Sequence, residues 1–149
     1  MKNIVIRQAV LADIEAHAQL FNGYRQFYRQ ASNIDAARAF LLERFNHSES
    51  IIFIAFNGAE PVGFSQLYPS FSSVSLARDY ILNDLFVSES ARKLGVGSKL
   101  LAASADYAKA FGAVRVTLTT AITNKTAQAV YEANGWKRDE VFFTYHFST

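Results

Sequence analysis

The segment from Leu82 to Leu101 constrains the fold more than any other part of this 149-residue chain. An apolar strand runs into a short polar turn, glycines follow at Gly95 and Gly97, and a leucine-rich helix begins beside them. The first turn of a helix has backbone N–H groups without intrahelical partners, and the helix dipole adds positive potential there. The segment therefore predicts a strand–loop–helix unit that favours binding of a phosphate or pyrophosphate.

Arg92 and Lys93 precede these glycines and bring positive charge to the same turn. The P-loop consensus G-x-x-x-x-G-K-[ST] is absent, and the dinucleotide fingerprint G-x-G-x-x-G is incomplete because Leu100 stands at the third glycine position. A bare G-x-G is also compatible with a tight structural turn that binds nothing. The glycines alone leave that alternative open.

Hydrophobic periodicity on both sides of the loop predicts the other elements. A hairpin followed by a strand–helix–strand crossover indicates a mixed sheet of six to seven strands. About four helices are expected to cover the two faces of this sheet, which gives an α/β (α+β) arrangement. The predicted order of elements is β-α-α-β-β-β-α-β-α-β-β. Residues 1–149 are expected to form one domain. The predicted strands are 3–7, 51–56, 62–68, 79–87 and 114–120 with one or two within 136–147, and the predicted helices are 13–29, 35–45, 95–111 and 124–134.

Composition excludes several classes of function. The chain has no cysteine, so thiol nucleophiles and disulfides are absent, and its three histidines lack metal-ligand spacing. The net charge is only +2 and no cluster of Lys and Arg occurs, which argues against nucleic acid. No secretory h-region and no apolar run of about 20 residues is present, so we expect a cytoplasmic protein without membrane or metal binding.

The glycine loop resembles a known signature. Its sequence RKLGVG is similar to the Q/R-x-x-G-x-G/A pattern of GNAT acetyltransferases, in which this loop cradles the pyrophosphate of coenzyme A. The resemblance implies the GNAT fold and acetyl-CoA as cosubstrate. The loop residues that it implies as cofactor contacts are Arg92, Lys93, Leu94, Gly95, Val96, Gly97 and Ser98.

A second motif lies on the predicted helix 124–134. Asn124, Ala127 and Tyr131 share one helix face, and the segment is similar to the family pattern N-x-x-A-x-x-x-Y-x-x-x-G-F/W. The resemblance implies that Asn124 and Ala127 contact coenzyme A and that the Tyr131 hydroxyl lies near the thioester sulfur, where it serves as general acid. A packed tyrosine with a structural role is the alternative.

The strand before the loop carries an acid in an apolar setting. Asp84 stands among leucine, phenylalanine and valine, where a carboxylate needs partners or a task. The strand resembles that of polyamine and small-amine acetyltransferases, in which one or two acidic residues bind or deprotonate the amine. The first of those two positions is Asn83 in this chain, which is not an acid, so the resemblance implies that Asp84 receives the amine's proton. Backbone groups of Leu85, Phe86 and Val87 would then hold the pantetheine arm. A carboxylate that caps a backbone group or pairs with an arginine is the alternative.

Aromatic residues are expected on the acceptor side, because aromatic faces bind cations. The predicted acceptor-binding set is Tyr24, Tyr28, Tyr68, Tyr80, Asn83 and Asp84. A place in the core is the alternative for each of these tyrosines, and the more common one for a tyrosine in such a segment.

These features predict transfer of an acetyl group from acetyl-CoA to the primary amine of a small, polyamine-like molecule, by direct attack in a ternary complex. The alternatives are acetylation of protein lysines or N-termini, and a non-catalytic CoA-binding module. The apolar tail 141–147 is expected to form a strand that covers a partner's sheet edge, which makes a homodimer possible.

Overall fold

The computed structural model describes residues 3–149, and the chain divides into two compact units. The first unit ends at Thr119 and the second runs Thr120–Thr149. Each unit is described by itself. The single-domain organisation expected from the length stays a prediction.

The first unit is a twisted sheet with helices on both faces. Its strands are β1 (Ile4–Gln8), β2 (Ile51–Asn57), β3 (Glu60–Ser72), β4 (Ala77–Val87) and β5 (Val116–Thr117), and its helices are α1 (Ile14–Phe27), α2 (Ile34–Asn46) and α3 (Val96–Ala110). The sheet order is β1-β2-β3-β4-β5, antiparallel except for the parallel pair β4–β5. The mixed α/β architecture expected from the sequence is confirmed.

Consecutive residues of β3 show which helix covers which face. Phe64 is fully buried and packs edge-on against rings of α1, at 4.8 Å between its centroid and that of His17. The next residue, Ser65, forms a 2.9 Å hydrogen bond with Ser104 of α3 on the opposite face. Alternation along the strand therefore sends Phe64 into the α1–α2 layer and Ser65 into the α3 layer.

His17 belongs to this core. It is 1% exposed, and burial lowers its pKa to about 4. Neither ring nitrogen has a hydrogen-bond partner in the part of the chain that the structure describes. The imidazole is therefore neutral at physiological pH and packs as an aromatic ring.

A β-bulge in β4 changes which side chains face α1. Gln66 pairs with Asp84 and the next residue, Leu67, pairs with Leu82, so Asn83 has no residue opposite it on β3. The extra residue breaks the regular alternation of side chains. As a result Asp84 shares a face with its hydrogen-bond partner Gln66 on the α1 side.

The rings on either side of the bulge confirm this reversal. Tyr80 lies before it and packs against Tyr107 of α3, at 5.8 Å between centroids. Phe86 lies after it and packs against Tyr24 of α1, at 6.2 Å. In an unbroken strand, Tyr80 and Phe86 would share one face.

The second unit contains one helix, α4 (Lys125–Ala133), and no strand among residues 134–149. The prediction of one or two closing strands within 136–147 is wrong, and the predicted strand 114–120 is reduced to the two residues of β5. Five strands are therefore observed in the described residues instead of six to seven. High β-propensity does not make a strand without a paired neighbour, and the large apolar side chains of the tail stay 79–91% exposed, namely Val141, Phe142, Phe143, Tyr145 and Phe147.

The hairpin and the following turn also differ in detail from the prediction. β2 extends one residue beyond the predicted 51–56, because Asn57 pairs with Glu60, and the turn residues are Gly58 and Ala59. β3 ends at Ser72, beyond the predicted 68, and β4 begins at Ala77, before the predicted 79. No helix among residues 3–149 is long and apolar enough to cross a membrane.

Gly63 allows α3 to pack closely on the sheet. A Cβ atom at this position would lie 2.8 Å from the carbonyl oxygen of Phe86 and 3.3 Å from Val96 Cγ1. Backbone cannot yield as a flexible side chain can, so we expect Gly63→Ala to lower the free energy of unfolding by about 1–3 kcal/mol. Denaturant unfolding measures this change.

The matched control is Gly23→Ala in α1, where the new Cβ atom would meet only the Phe86 ring at an ordinary 3.5 Å. There we expect no loss of stability, since alanine is the better helix former. Equal effects of the two substitutions would contradict the close-packing argument.

Candidate active site

Asp84 lies at the centre of a polar cluster on the α1 face of the sheet. Its side chain is 3% exposed, although it carries a carboxyl group. The Gln66 amide Nε2 donates to Oδ2 at 2.6 Å, and the Asn83 amide Nδ2 donates to Oδ1 at 3.1 Å. Each carboxylate oxygen thus accepts one hydrogen bond from a neutral amide.

No arginine or lysine in the described part of the chain forms an ion pair with Asp84, and no backbone N–H there donates to it. Within that part of the chain Asp84 therefore neither caps a backbone group nor pairs with an arginine, which were the two structural alternatives for this residue. Burial raises the pKa of Asp84, while the polar side chains of Gln66, Tyr24 and Asn83 act in the opposite direction. The result is a carboxylate that takes up a proton more readily than a solvated aspartate.

Two tyrosines, Tyr24 and Tyr68, lie near this carboxylate, and a third, Tyr28, packs against Tyr24. Tyr24 donates its hydroxyl to the Asn83 carbonyl oxygen at 3.4 Å, and its ring contacts that of Tyr28 at 5.1 Å. Tyr68 accepts a 3.1 Å hydrogen bond from Gln66 Nε2. We call Asp84, Gln66, Asn83, Tyr24, Tyr28 and Tyr68 the Asp84 cluster.

The phenols of Tyr24 and Tyr68 stay protonated near neutral pH. Burial is the main cause that raises the pKa of Tyr24, and the charge of Asp84 adds to it. The same two causes raise the pKa of Tyr68 to about 12. The cluster therefore combines a proton acceptor with hydroxyl groups and aromatic faces, a combination suited to a cationic amine.

Tyr80 is not part of this cluster. It is 2% exposed and lies on the α3 face against Tyr107. The bulge at Asn83 separates it from Asp84, so the structure brings together five of the six predicted acceptor-side residues and leaves Tyr80 in the core.

The glycine loop (residues 92–98) connects β4 to α3 through two left-handed residues. Lys93 has φ 67° and Gly95 has φ 78°. A left-handed lysine is uncommon, and such residues concentrate at ligand-binding sites. The loop turns the chain sharply so that α3 begins at Val96, whose side chain is buried and anchors the helix. Because the Val96 side chain is buried, only its backbone groups can contact a ligand.

Gly97 has no evident structural need to be glycine. It lies in the first turn of α3, its φ is not positive, and a Cβ atom there would come no closer than 4.0 Å to Val87 Cγ2. Glycine in a helix costs about 0.5–1 kcal/mol relative to alanine. The open space above Gly97 therefore supports close approach of a ligand to the backbone and disfavours a purely structural turn.

Arg92 is held at the end of β4 while its charge remains exposed. Its Nε donates to the Val87 carbonyl oxygen at 3.1 Å, and its guanidinium lies 5.9 Å from the ring centroid of Phe27. An open cleft of about 600 Å³ lies between α1 and this part of the chain. Arg92 and the exposed Lys93 thus provide positive charge at the glycine loop without competing carboxylate partners in the described residues.

The end of β4 offers backbone groups on one edge. β5 pairs only with Tyr80 and Ile81, and no other strand among residues 3–149 continues the ladder beside Leu85–Val87. In a strand paired on one side only, about half of the N–H and C=O groups point away from the partner. These groups are available to an extended amide-containing ligand, as predicted for a pantetheine arm.

The second unit holds the remaining predicted residues. Asn124 is the N-cap of α4, and its side chain accepts a 3.1 Å hydrogen bond from the Ala127 amide. The Tyr131 ring is half-buried and contacts Trp136 at 6.4 Å between centroids. The cap shows that Asn124 also has a structural task, which the shared-face argument had not assigned. The functional roles of Asn124, Ala127 and Tyr131 stay predictions.

Sequence reasoning missed Gln66, the residue that holds Asp84. A glutamine inside the apolar run 62–68 is a weak signal by itself. Its importance follows only from the cross-strand register, which places it opposite Asp84. No group of three or more metal-ligating side chains occurs within the described residues, and the expectation that the protein needs no metal stays a prediction.

Residues 17–136 match the acetyltransferase (GNAT) family, and the chain belongs to that family. It is an N-acetyltransferase of the acyl-CoA-dependent type, as the loop signature predicts.

Two related proteins and one more distant structure place the chain within the family. It is 52% identical over 140 residues, 94% of each chain, to YhfO, an uncharacterized N-acetyltransferase of Bacillus subtilis strain 168. The crystal structure of a probable acetyltransferase is 41% identical, with a TM-score of 0.93 over 97% of both chains. The aminoglycoside N-acetyltransferase AAC(6')-Iy, solved with CoA, is 22% identical with a TM-score of 0.82 over 100% of this chain and 97% of that one, which shows a shared fold.

The space above Gly97 leads to a test with opposite effects on stability and binding. We expect Gly97→Ala to keep or raise stability, by up to about 1 kcal/mol. The added methyl group should weaken CoA binding by about tenfold or more, since overpacking costs ~1–3 kcal/mol. Calorimetry with CoA and thermal unfolding on one preparation measure both. Unchanged affinity would contradict the loop assignment.

Proposed function

We propose that this acetyltransferase transfers the acetyl group of acetyl-CoA to the primary amine of a small molecule, and that Asp84 receives the amine's proton. The observation that carries the proposal is a buried carboxylate with amide hydrogen bonds, no basic partner in the described residues and tyrosine rings around it. A protonated amine supplies the positive charge that this carboxylate lacks.

The chemistry follows from the charges. An alkylammonium has a pKa of about 10, so at neutral pH it must lose a proton before its nitrogen can attack. In the proposed mechanism Asp84 accepts that proton, directly or through a water molecule, and the free amine attacks the thioester carbonyl in a ternary complex. The C–N bond forms, the C–S bond breaks, and Tyr131 donates a proton to the departing thiolate. The second amine proton returns to Tyr131 through solvent, and Asp84 releases its proton to solvent, so the net reaction yields one proton.

Acetyl-CoA fits the proposed roles of the glycine loop and the end of β4. Backbone amides at the start of α3, together with Arg92 and Lys93, would hold the pyrophosphate. The open edge of β4 at Leu85–Val87 would hold the pantetheine arm and polarise the thioester carbonyl. Asn124 and Ala127 would complete the contacts from α4.

A protein acceptor is the alternative to a small amine. The carboxyl group of Asp84 is itself 3% exposed, which favours a slender aliphatic amine over a folded surface. Initial rates with polyamines, other small amines, and peptides carrying lysine or a free N-terminus separate the two. The family relationship identifies an acetyltransferase, so we do not retain the non-catalytic module as an alternative.

Two further predictions concern the whole protein. The large apolar side chains of the tail are almost fully exposed in this chain, and monomers seldom leave such a patch uncovered. We therefore propose a homodimer in which the tail is covered, and the mass of the protein in solution tests it.

A cytoplasmic location stays a prediction.

The Asp84 assignment is tested by Asp84→Asn. The amide keeps the shape but cannot take a proton, so we expect turnover of charged amines at neutral pH to fall about 10²–10⁴-fold. Activity should partly recover at high pH, where free amine is abundant. In the wild type, burial raises the pKa of Asp84, so activity should fall as the pH drops through a value above that of an ordinary aspartate.

Asp79→Asn is the matched control for this test. Asp79 lies on the same strand and pairs with Arg115 at 3.4 Å, away from the cluster. We expect it to change stability without moving the pH profile. Full activity of Asp84→Asn at neutral pH would exclude Asp84 as the proton acceptor.

Tyr131→Phe tests the general acid. The substitution removes only the hydroxyl, so the ring contact with Trp136 is kept. We expect kcat to fall by about 10²–10⁴-fold with little change in acetyl-CoA Kd or in Tm. Tyr145→Phe makes the same change on an exposed tail residue and should leave kcat unaltered. Normal kcat with a lowered Tm in Tyr131→Phe would mean a structural tyrosine.

A further inference from the structure

Gln66 is a fully buried polar residue with an unsatisfied oxygen. Its side chain is 0% exposed, and its amide Nε2 donates both to Asp84 Oδ2 and to the Tyr68 hydroxyl. Its Oε1 is buried and has no hydrogen-bond partner within residues 3–149. A buried acceptor without a donor costs free energy that an apolar residue of the same size would not, so this glutamine calls for an explanation beyond packing.

The contact between Gln66 and Asp84 suits both protonation states of the carboxyl. The separation of 2.6 Å is short for an N–H···O bond and ordinary for an O–H···O bond. With an ionised carboxylate, Nε2 donates as observed. After a proton reaches Oδ2, a half-turn of the amide places Oε1 opposite the new O–H group. The Tyr68 hydroxyl both donates and accepts, so it can serve either orientation.

We propose that Gln66 is a positioning residue for acetyl transfer, whose amide holds Asp84 as an oriented carboxylate before the amine's proton arrives and turns over to accept a hydrogen bond from the carboxylic acid afterwards. The step moves one proton, from the ammonium nitrogen to Asp84 Oδ2, and forms no covalent bond at Gln66. This proposal rests on the proposed role of Asp84. Gln66 Oε1, which has no partner among the described residues while Asp84 is ionised, then becomes the acceptor for the O–H group of the protonated Asp84.

The titratable groups that face Asp84 are Tyr24 from α1 and Tyr68 from β3, and Tyr28 packs against Tyr24. Burial raises the pKa of Tyr24 and of Tyr68, so neither phenol loses its proton in the range where Asp84 titrates. The positive charge of Arg44 in α2 acts against the rise at Tyr68 without cancelling it.

His17 of α1 packs against Phe64 on the same face of the sheet, and burial lowers its pKa to about 4. The electrostatic partner of His17 is Asp13, since each of these two residues shifts the pKa of the other, and Asp84 is not a cause of the shift at His17. A pH-dependent rate at acid to neutral pH therefore reports mainly on Asp84.

The test is the pH profile of kcat/KM for Gln66→Met, which keeps the volume and removes the hydrogen bonds. We call the fall of kcat/KM at low pH the acidic limb of the profile. Loss of a hydrogen bond to the ionised Asp84 should move this limb to higher pH by about one to two pH units. The KM for acetyl-CoA should stay near that of the wild type. In Gln66→Glu a second carboxylate faces Asp84, so the limb should move further upward than in Gln66→Met.

Ser65→Ala is the matched control, because Ser65 is the neighbouring residue on the opposite face. It loses the buried 2.9 Å hydrogen bond to Ser104 and should lower Tm without moving the acidic limb. A shift in Ser65→Ala equal to that in Gln66→Met would show a general effect of destabilisation and would overturn the proposal.

A measurement without turnover separates this proposal from the proposed function. The infrared carboxyl band of Asp84, isolated by difference from Asp84→Asn, is titrated in the wild type and in Gln66→Met. If Asp84→Asn removes the kinetic limb while Gln66→Met moves neither limb nor band, the role of Gln66 is wrong and that of Asp84 stands. If Asp84→Asn keeps the limb, the proposed function itself fails.

Tyr68→Phe provides a second variant should Gln66→Met fold poorly. It removes the hydroxyl that Nε2 binds at 3.1 Å and leaves Gln66 in place. We expect a smaller upward shift of the same limb and of the same infrared band. No shift in a folded Tyr68→Phe protein, together with a misfolded Gln66→Met, would overturn the proposal.

Discussion

The candidate site depends on the register shift between β3 and β4. One extra residue, Asn83, interrupts regular pairing, and the strand then presents Asp84 and Phe86 to α1 although Tyr80 faces α3. Without the bulge, Asp84 would share the α3 face with Tyr80, on the opposite side of the sheet from Tyr24 and Gln66. The bulge therefore decides that an acid in an apolar strand meets amide donors and tyrosine rings.

The glycine loop and the Asp84 cluster of the first unit depend on different physical interactions. The glycine loop relies on backbone amides, open space above Gly97 and exposed positive charge, all suited to a strongly anionic ligand that stays partly hydrated. The Asp84 cluster relies on burial, which strengthens electrostatic interactions and shifts proton affinities. Pyrophosphate binding is thus assigned to the exposed glycine loop that follows β4, and proton transfer to the buried Asp84 within β4.

Much of this could be predicted, and the failures have identifiable causes. The helices were placed within about two residues because their periodicity and caps are local, as for Asn33, whose side chain accepts from the Ala36 amide. The closing strands were wrong because β-propensity describes a side chain's fit to a sheet, not the presence of a partner strand. Tyr80 was grouped with Asp84 because aromatic residues were expected on the acceptor side, whereas the bulge leaves its ring on the α3 face against Tyr107.

The sequence by itself determined the strand–loop–helix unit, the glycine loop and the acid in the strand before it. These features are encoded by spacings of a few residues, which set hydrogen bonding and helix geometry locally. Only the tertiary structure decided that Gln66 holds Asp84, because the two residues are 18 positions apart and meet through the register of two strands. That register depends on packing against α1 and α3 together, which no short segment of the chain contains.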